Sequence, residues 1–221
     1  MSASFRYLWS VHAELLDGLR ITLQATAIGM ILAVMLGLLI TTIRTWRIPV
    51  LKELAGAWIV LVRNTPLLCQ LFFLFYVLPN YGVKLNGYWL GTIGLGLHYS
   101  CYTAEAFRGG LAAVPRGQWE AARVLGLRGR TTFGRIVLAQ ALPPTVPVLA
   151  NYLISMFKDS AILSAITVLE LLGTTEALAS QSFKYTTLFT ALGLIYLCIA
   201  YPASIVTRQL EKRLSLSKRV A

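Results

Sequence analysis

Long apolar stretches alternate along this chain with short polar connections, and the connections differ in charge. Residues 21–43 run for 23 positions without one charged side chain, which is the length an α-helix needs to cross a bilayer. The same pattern recurs downstream and predicts five spans: residues 19–43, 54–78, 88–107, 136–157 and 186–206. Arg63-Asn64-Thr65-Pro66 interrupts the second. Residues 80–87 form a short, turn-rich connection. Residues 161–172 are apolar but too short to cross, so a re-entrant or surface helix is expected there.

Within the first span small residues recur at every fourth position: Ala25, Gly29, Ala33 and Gly37. Such a stripe lets helix backbones approach closely in lipid. Gly91, Gly94 and Gly96 have the same reading, because no strand–turn–helix context makes them a phosphate loop. Pro66 splits the second span, Pro143, Pro144 and Pro147 crowd the fourth, and Pro202 sits in the fifth. Each proline removes a backbone donor and kinks its helix. In lipid the freed carbonyls need protein or cavity water, so several broken helices in one small bundle predict a lined cavity.

Composition sharpens the membrane reading. Hydrophobic residues make up 57% of the chain and charged residues 13%, against about 25% charged in a soluble domain. The net charge of +11 invites a nucleic-acid reading, but position decides against it. Arg44, Arg47 and Lys52 follow the first span. Arg108, Arg116, Arg123, Arg128, Arg130 and Arg135 flank or fill the 108–135 loop. Arg208, Lys212, Arg213, Lys218 and Arg219 make the tail. These are 14 of 20 basic residues, in alternate connections, which is the positive-inside bias of a multi-pass protein. The N-terminus is expected outside and the C-terminus in the cytoplasm. Trp9, Tyr81, Tyr88 and Trp89 then belong to the outer aromatic belt and Trp46 to the inner one. Residues 1–18 lack the pattern of a cleaved leader, so the first span is expected to insert uncleaved.

Catalytic and metal chemistry find little support. Cys69, Cys101 and Cys198 lie in apolar runs without Cys-x-x-Cys spacing and read as small buried hydrophobes. His12 and His98 are far apart, and His98 is expected to be packed or hydrogen-bonded rather than a metal ligand. No Gly-Lys pair occurs, so there is no phosphate loop for ATP. In the central loop, residues 120–125 are good helix formers and Gly126 suits a left-handed helix end. A short cytoplasmic helix closed by a turn is a knob that a partner can grip. The alternative is a surface helix touching only lipid headgroups.

Glu120-Ala121-Ala122, then Gly126, Ile136 and Leu138, resembles the EAA signature of permease subunits of bacterial ABC importers. Ala139 departs from the pattern, which usually has Pro there. Other segments resemble the polar amino acid uptake subfamily. They are Arg63-Asn64-Thr65-Pro66-Leu67-Leu68, Gln70-Leu71-Phe72-Phe73, Ala104-Glu105-Ala106-Phe107-Arg108-Gly109-Gly110, Val114-Pro115-Arg116-Gly117-Gln118-Trp119 and Lys158-Asp159-Ser160. Ser164-Ala165-Ile166-Thr167-Val168-Leu169-Glu170-Leu171 resembles members assigned to ectoine uptake. The resemblance covers residues 18–214.

It implies an all-α integral membrane fold of five spans with a cytoplasmic coupling helix, as in type I importer permeases. The whole chain, 1–221, would be one permease domain in the bacterial inner membrane. Glu120, Ala121, Ala122 and Gly126 would couple it to the ATPase. The implied partners are an ATP-binding subunit dimer carrying ATP-Mg, a second identical or homologous permease subunit, and an extracytoplasmic solute-binding protein. Membrane lipid and a small polar solute complete the set, with no nucleic acid and no cofactor bound by this chain. Transport would proceed by alternating access.

Charges within spans are costly and line pathways. Asn64, Gln70, Lys158 and Asp159 are therefore candidates for the solute pathway, with Arg63, Glu105 and Glu170 as further polar interruptions. A zwitterion wants a donor for its carboxylate and an acceptor for its ammonium. For Glu105 and Arg108, three residues apart, a structural ion pair is favoured, and a Lys158–Asp159 pair is the competing reading there. Two other functions remain open on the residues alone. A non-transporting scaffold would tolerate loss of these polar groups. A membrane-embedded enzyme would need convergent His, Asp or Ser groups.

Overall fold

The structure is a computed structural model and describes residues 3–45 and 49–216. Every regular element in those residues is helical. A short α1 (Ala3–Ser10) leads into α2 (His12–Thr45). Next come α3 (Pro49–Arg63) and α4 (Leu67–Phe72), the latter running on through a π-helical stretch, Phe73–Val77, and a 3-10 turn, Leu78–Tyr81. After α5 (Gly87–Ala112) and α6 (Arg116–Val124) come α7 (Gly129–Thr131), a second π-helical stretch, Thr132–Val137, and α8 (Leu138–Asp159). A 3-10 segment, Ser160–Ile166, precedes α9 (Leu171–Ser182) and α10 (Tyr185–Leu216). Trp46, Arg47, Lys218 and Arg219 lie outside the described residues.

Among the described residues, three helices are long and apolar enough to cross a membrane: His12–Thr45, Gly129–Ile166 and Tyr185–Leu214. A fourth crossing arises if Val50–Arg63 and Leu67–Tyr81, bent by 108° at the break, act as one span. The expected third span falls in α5, which is 26 residues long, about 39 Å at 1.5 Å per residue. Thr92, His98, Ser100 and Thr103 make α5 less apolar, and all four are buried. Burial by neighbouring helices removes the need for a lipid-facing apolar surface there. Helices α2 and α10 show the opposite: Ile31, Met35, Leu39, Leu194, Leu197 and Val206 are exposed, as surfaces solvated by hydrocarbon are.

The predicted small-residue stripe forms the main seam. Ala25, Gly29, Ala33 and Gly37 are all buried, where α2 runs against α5. The backbones come close enough for Thr103 to donate to the Ala33 carbonyl at 2.7 Å and Thr41 to the Ala104 carbonyl at 3.0 Å. Such interhelical bonds contribute roughly 0.6–2 kcal/mol each. Leu67 and Leu71 of α4, Leu95 and Tyr99 of α5, and Met156 of α8 complete the central cluster with Leu163 and Ile166.

Three expectations need correction. Pro143, Pro144, Pro147 and Pro202 do not break their helices, and α8 and α10 run through them; the sharp break is at Pro66. Losing isolated ladder bonds leaves the rest of each helix intact. Pro143, Pro144 and Pro147 instead face a cleft of about 210 Å³ shared with Asn151 and Glu211. Residues 161–172 are not one helix: the 3-10 segment ends at Ile166, Thr167 turns left-handed, and α9 starts only at Leu171. Local apolarity placed the helix too early because the carboxylate that caps it is Glu170. Finally, only Cys101 is buried, while Cys69 and Cys198 are exposed.

Candidate coupling loop and solute pathway

Helix α6 starts after Pro115, whose extended backbone suits the position before a helix. It ends in a Schellman closure. Gly126 is left-handed, with φ +66. Its N–H donates to the Arg123 carbonyl, and Leu127 N–H donates to the Ala122 carbonyl, both at 3.0 Å. This is the arrangement that satisfies orphan carbonyls at a helix end. Ala122 is buried, while Glu120 and Ala121 are exposed. Gln140 of α8 donates to Gln118 at 3.1 Å, and Trp119 packs beside Val114, Val137 and Ala141. One side of α6 is thus tied to the start of α8. The other presents Val124 and Leu125, 87% and 74% exposed. The sequence reading missed this apolar tip, although two large apolar residues directly before a left-handed glycine were the visible sign.

The second group of polar residues gathers where α3 breaks. The end of α3 leaves carbonyls without helical partners, and Gln70 of α4 takes them up. Its side-chain amide donates to the Val62 carbonyl at 2.8 Å and to Thr65 Oγ1 at 2.7 Å, with the Thr65 carbonyl at 3.1 Å. Its Oε1 meets His98 Nδ1 of α5 at 3.0 Å. Gln70 and His98 together pin the bend, and His98 is the packed, hydrogen-bonded histidine expected. Asn64 is exposed and donates to the Val60 carbonyl of its own helix at 2.7 Å.

From His98 an aromatic cluster extends along α5 to α8. His98 lies 5.5 Å from Tyr99 and 5.2 Å from Tyr102, and Tyr152 lies 5.8 Å from Tyr102. The Arg63 guanidinium sits 5.3 Å over the Tyr102 ring. At the far end Tyr99 donates to Asp159 Oδ2 at 2.6 Å. Gln70 and Asp159 therefore belong to one connected group, while Asn64 and Lys158 are exposed beside its two ends. No ion pair joins Lys158 to Asp159 among the described residues, whereas Glu105 pairs with both Arg108, at 2.6 Å, and Arg44. The three tyrosines were not singled out from the sequence; 99 and 102, one helical turn apart, were the available sign.

The family described as "Binding-protein-dependent transport system inner membrane component" matches residues 26–216. The chain belongs to this family. The permease is 40% identical over 205 residues to the probable amino-acid ABC transporter permease protein y4tG of Sinorhizobium fredii, covering 93% of this chain and 89% of that one. It is 33% identical over 202 residues to the probable glutamine ABC transporter permease protein GlnM of Bacillus subtilis, covering 91% and 94%. A crystal structure of an amino acid ABC transporter with histidines superposes with a TM-score of 0.89 at 30% identity, over 96% of the permease and all of that chain. The MetNI methionine ABC transporter, in an inward-facing form, shares the fold at 18% identity with a TM-score of 0.70. The permease is thus the membrane component of an ABC importer of the amino-acid and polar-solute uptake subfamily, working with a separate ATPase. Its relatives and fold are those of non-catalytic subunits.

Proposed function

We propose that this permease carries polar amino acids, or a related compatible solute, across the bacterial inner membrane by alternating access. The observation behind this is the likeness over the full length of an amino acid ABC transporter chain. In this reading residues 1–221 form one permease domain of five spans: α2, the bent α3–α4 pair, α5, α8 and α10. The N-terminus faces out and the C-terminus faces the cytoplasm, in line with the basic residues at Arg44, Arg116–Arg135 and Arg208–Arg213. ATP-Mg is held by an ATP-binding subunit dimer, not by this chain. A second permease subunit, identical or homologous, and a solute-binding protein complete the assembly.

Helix α6 is the coupling element, with Glu120, Ala121, Ala122 and Gly126 shaping the knob and Val124 and Leu125 as its apolar tip. The solute pathway runs along the face where α3, α5 and α8 meet. Asn64, Lys158 and Asp159 line it, and Gln70 contributes by holding the bend. Arg63 and Asp159, neither of them in an ion pair among the described residues, lie at opposite ends of the tyrosine cluster and suit the two charges of a zwitterion.

Two measurements test this. Proteoliposomes containing the complex with its ATPase and binding protein are expected to take up labelled arginine, glutamine, glutamate, histidine or ectoine only with internal or external ATP at the ATPase face. ATP-independent uptake would refute the ATP-driven alternating-access reading, and no uptake of any of these solutes would refute the proposed substrate class. Single cysteines, in a background without Cys69, Cys101 and Cys198, test orientation. Lys84→Cys and Lys184→Cys should react with an impermeant thiol reagent in intact cells, and Arg128→Cys should not; labelling at 128 overturns the five-span arrangement.

A further inference from the structure

Glu170 is the most unusual charged residue in the chain. It is fully buried, no ion pair to it occurs among the described residues, and yet its carboxylate is well satisfied. Oε1 accepts from Gly173 N–H at 2.8 Å, and Oε2 accepts from Leu172 N–H at 3.0 Å, capping the N-terminus of α9. Oε2 also takes the Thr22 hydroxyl of α2 at 3.2 Å and, more distantly, the Tyr196 hydroxyl of α10 at 3.5 Å. Thr22 Oγ1 in turn accepts from Leu171 N–H at 3.1 Å. One side chain therefore joins α9 and α10 to α2, 148 residues away in sequence.

The surrounding backbone is consistent with a held element. Helix α9 is bounded by Thr167 at φ 65 and Phe183 at φ 56. Left-handed backbone in β-branched and bulky residues costs about 1–3 kcal/mol each and persists where the surroundings over-determine it. Tyr196, the α10 member of the network, also reaches back to the end of α8. Its ring lies 5.2 Å from Phe157. Phe157 directly precedes Lys158 and Asp159.

We propose that Glu170 is a positioning residue for transport: by anchoring α9 to α2 and Tyr196, it holds the turn after α8 so that Asp159 stays on Tyr99. This rests on the reading that Asp159 lines the solute pathway. Glutamate suits the position because two backbone N–H groups and two hydroxyls must be met by one acceptor. Glutamine keeps one oxygen for a single backbone N–H and offers an amide that the hydroxyls can accept, but the second backbone N–H loses its acceptor. Alanine leaves buried donors unsatisfied.

The test is a double-mutant cycle in proteoliposomes with the assembled complex, scored as uptake per ATPase-bound permease. Glu170→Ala should lower uptake about fivefold or more, while Glu170→Gln, which loses one of the two backbone acceptors, should lie between Glu170→Ala and wild type. The combined Glu170→Ala, Asp159→Asn protein should transport no less than Asp159→Asn alone, since both changes break one unit. A purely structural role predicts fewer complexes with normal uptake per complex, or losses that multiply, and either result overturns the proposal. If Glu170→Ala does not assemble, Tyr196→Phe, which removes one hydroxyl, takes its place in the cycle under the same criteria. Normal uptake by Asp159→Asn would instead refute the pathway reading and this inference with it. A second readout needs no solute: in a cysteine-free background, the rate at which a methanethiosulfonate reagent modifies Asp159→Cys should change about fivefold with Glu170→Ala and by less with Glu170→Gln. Equal rates in all three proteins overturn the proposal, and they decide alone if none of the labelled solutes is transported.

Discussion

Gly126→Asp should sharply reduce coupled transport while the permease still inserts. Gly126 closes α6 with a left-handed backbone at φ +66, and a Cβ built there meets nothing within 4 Å. Space is therefore not the issue. Any residue other than glycine pays a conformational penalty at this φ, about 1–2 kcal/mol and least for Asn and Asp. Aspartate adds a negative charge at a helix C-terminus, where the helix dipole disfavours it by roughly 0.3–1 kcal/mol. The charge also lands beside Val124 and Leu125, the apolar tip proposed to enter the ATPase. Burying an unpaired charge in such a contact costs several kcal/mol. Uptake and solute-stimulated ATP hydrolysis should both fall roughly tenfold or more, at one kcal/mol and a half per decade. Gly126→Asn tolerates the backbone without the charge and should keep most activity. Wild-type uptake and stimulated hydrolysis in the Asp variant would remove α6 from the coupling path.

Gly37→Leu should prevent the bundle from closing. A Cβ at Gly37 would overlap Thr103 Oγ1 and lie 3.0 Å from the backbone nitrogen of Ala104. Thr103 cannot swing away without releasing the Ala33 carbonyl, and the α5 backbone cannot retreat without breaking the Thr41–Ala104 bond. Overpacking costs about 1–3 kcal/mol, and each lost interhelical bond adds roughly 0.6–2 kcal/mol. A total near 4 kcal/mol corresponds to a thermal midpoint lower by roughly 8–16 °C for a chain of this size. Gly193→Leu, on an open part of α10 with nothing within 4 Å, serves as the control and should leave the midpoint within about 2 °C. Midpoints measured in detergent by fluorescent thiol labelling or size-exclusion after heating check both. A Gly37 variant as stable as wild type would show that α2 and α5 do not meet along this seam.

What local pattern could carry was legible. The apolar runs located α2, α8 and α10, because a helix that faces lipid must be apolar over its whole crossing length. The four-residue repeat at 25, 29, 33 and 37 marked the face of α2 that packs on α5, since that period keeps small residues on one side. Residues 120–126 announced a short helix with a left-handed end, and the Schellman bonds followed. Glu105 with Arg108 was readable as a pair because three residues make one turn. The rest depended on contacts between distant parts of the chain. Pro66 marked a break, but Gln70 and His98 hold the bend, and His98 is 28 residues from Gln70. Helix α5 is less apolar than its neighbours because the other helices surround it. The start of α9 was misplaced because its cap, Glu170, is stabilised by Thr22, 148 residues away, and by Tyr196. The cluster of Tyr99, Tyr102, Tyr152 and Asp159 joins α5 to α8, and no periodicity within either helix records which side chains of the other will face it. Sequence alone determined the lipid-facing helices α2, α8 and α10, the seam and the short loop helix, because those follow from the solvent and from neighbours along one helix. Tertiary structure alone decided the bend, the placement of α9 and the polar cluster, because each is held by hydrogen bonds and ring contacts between helices.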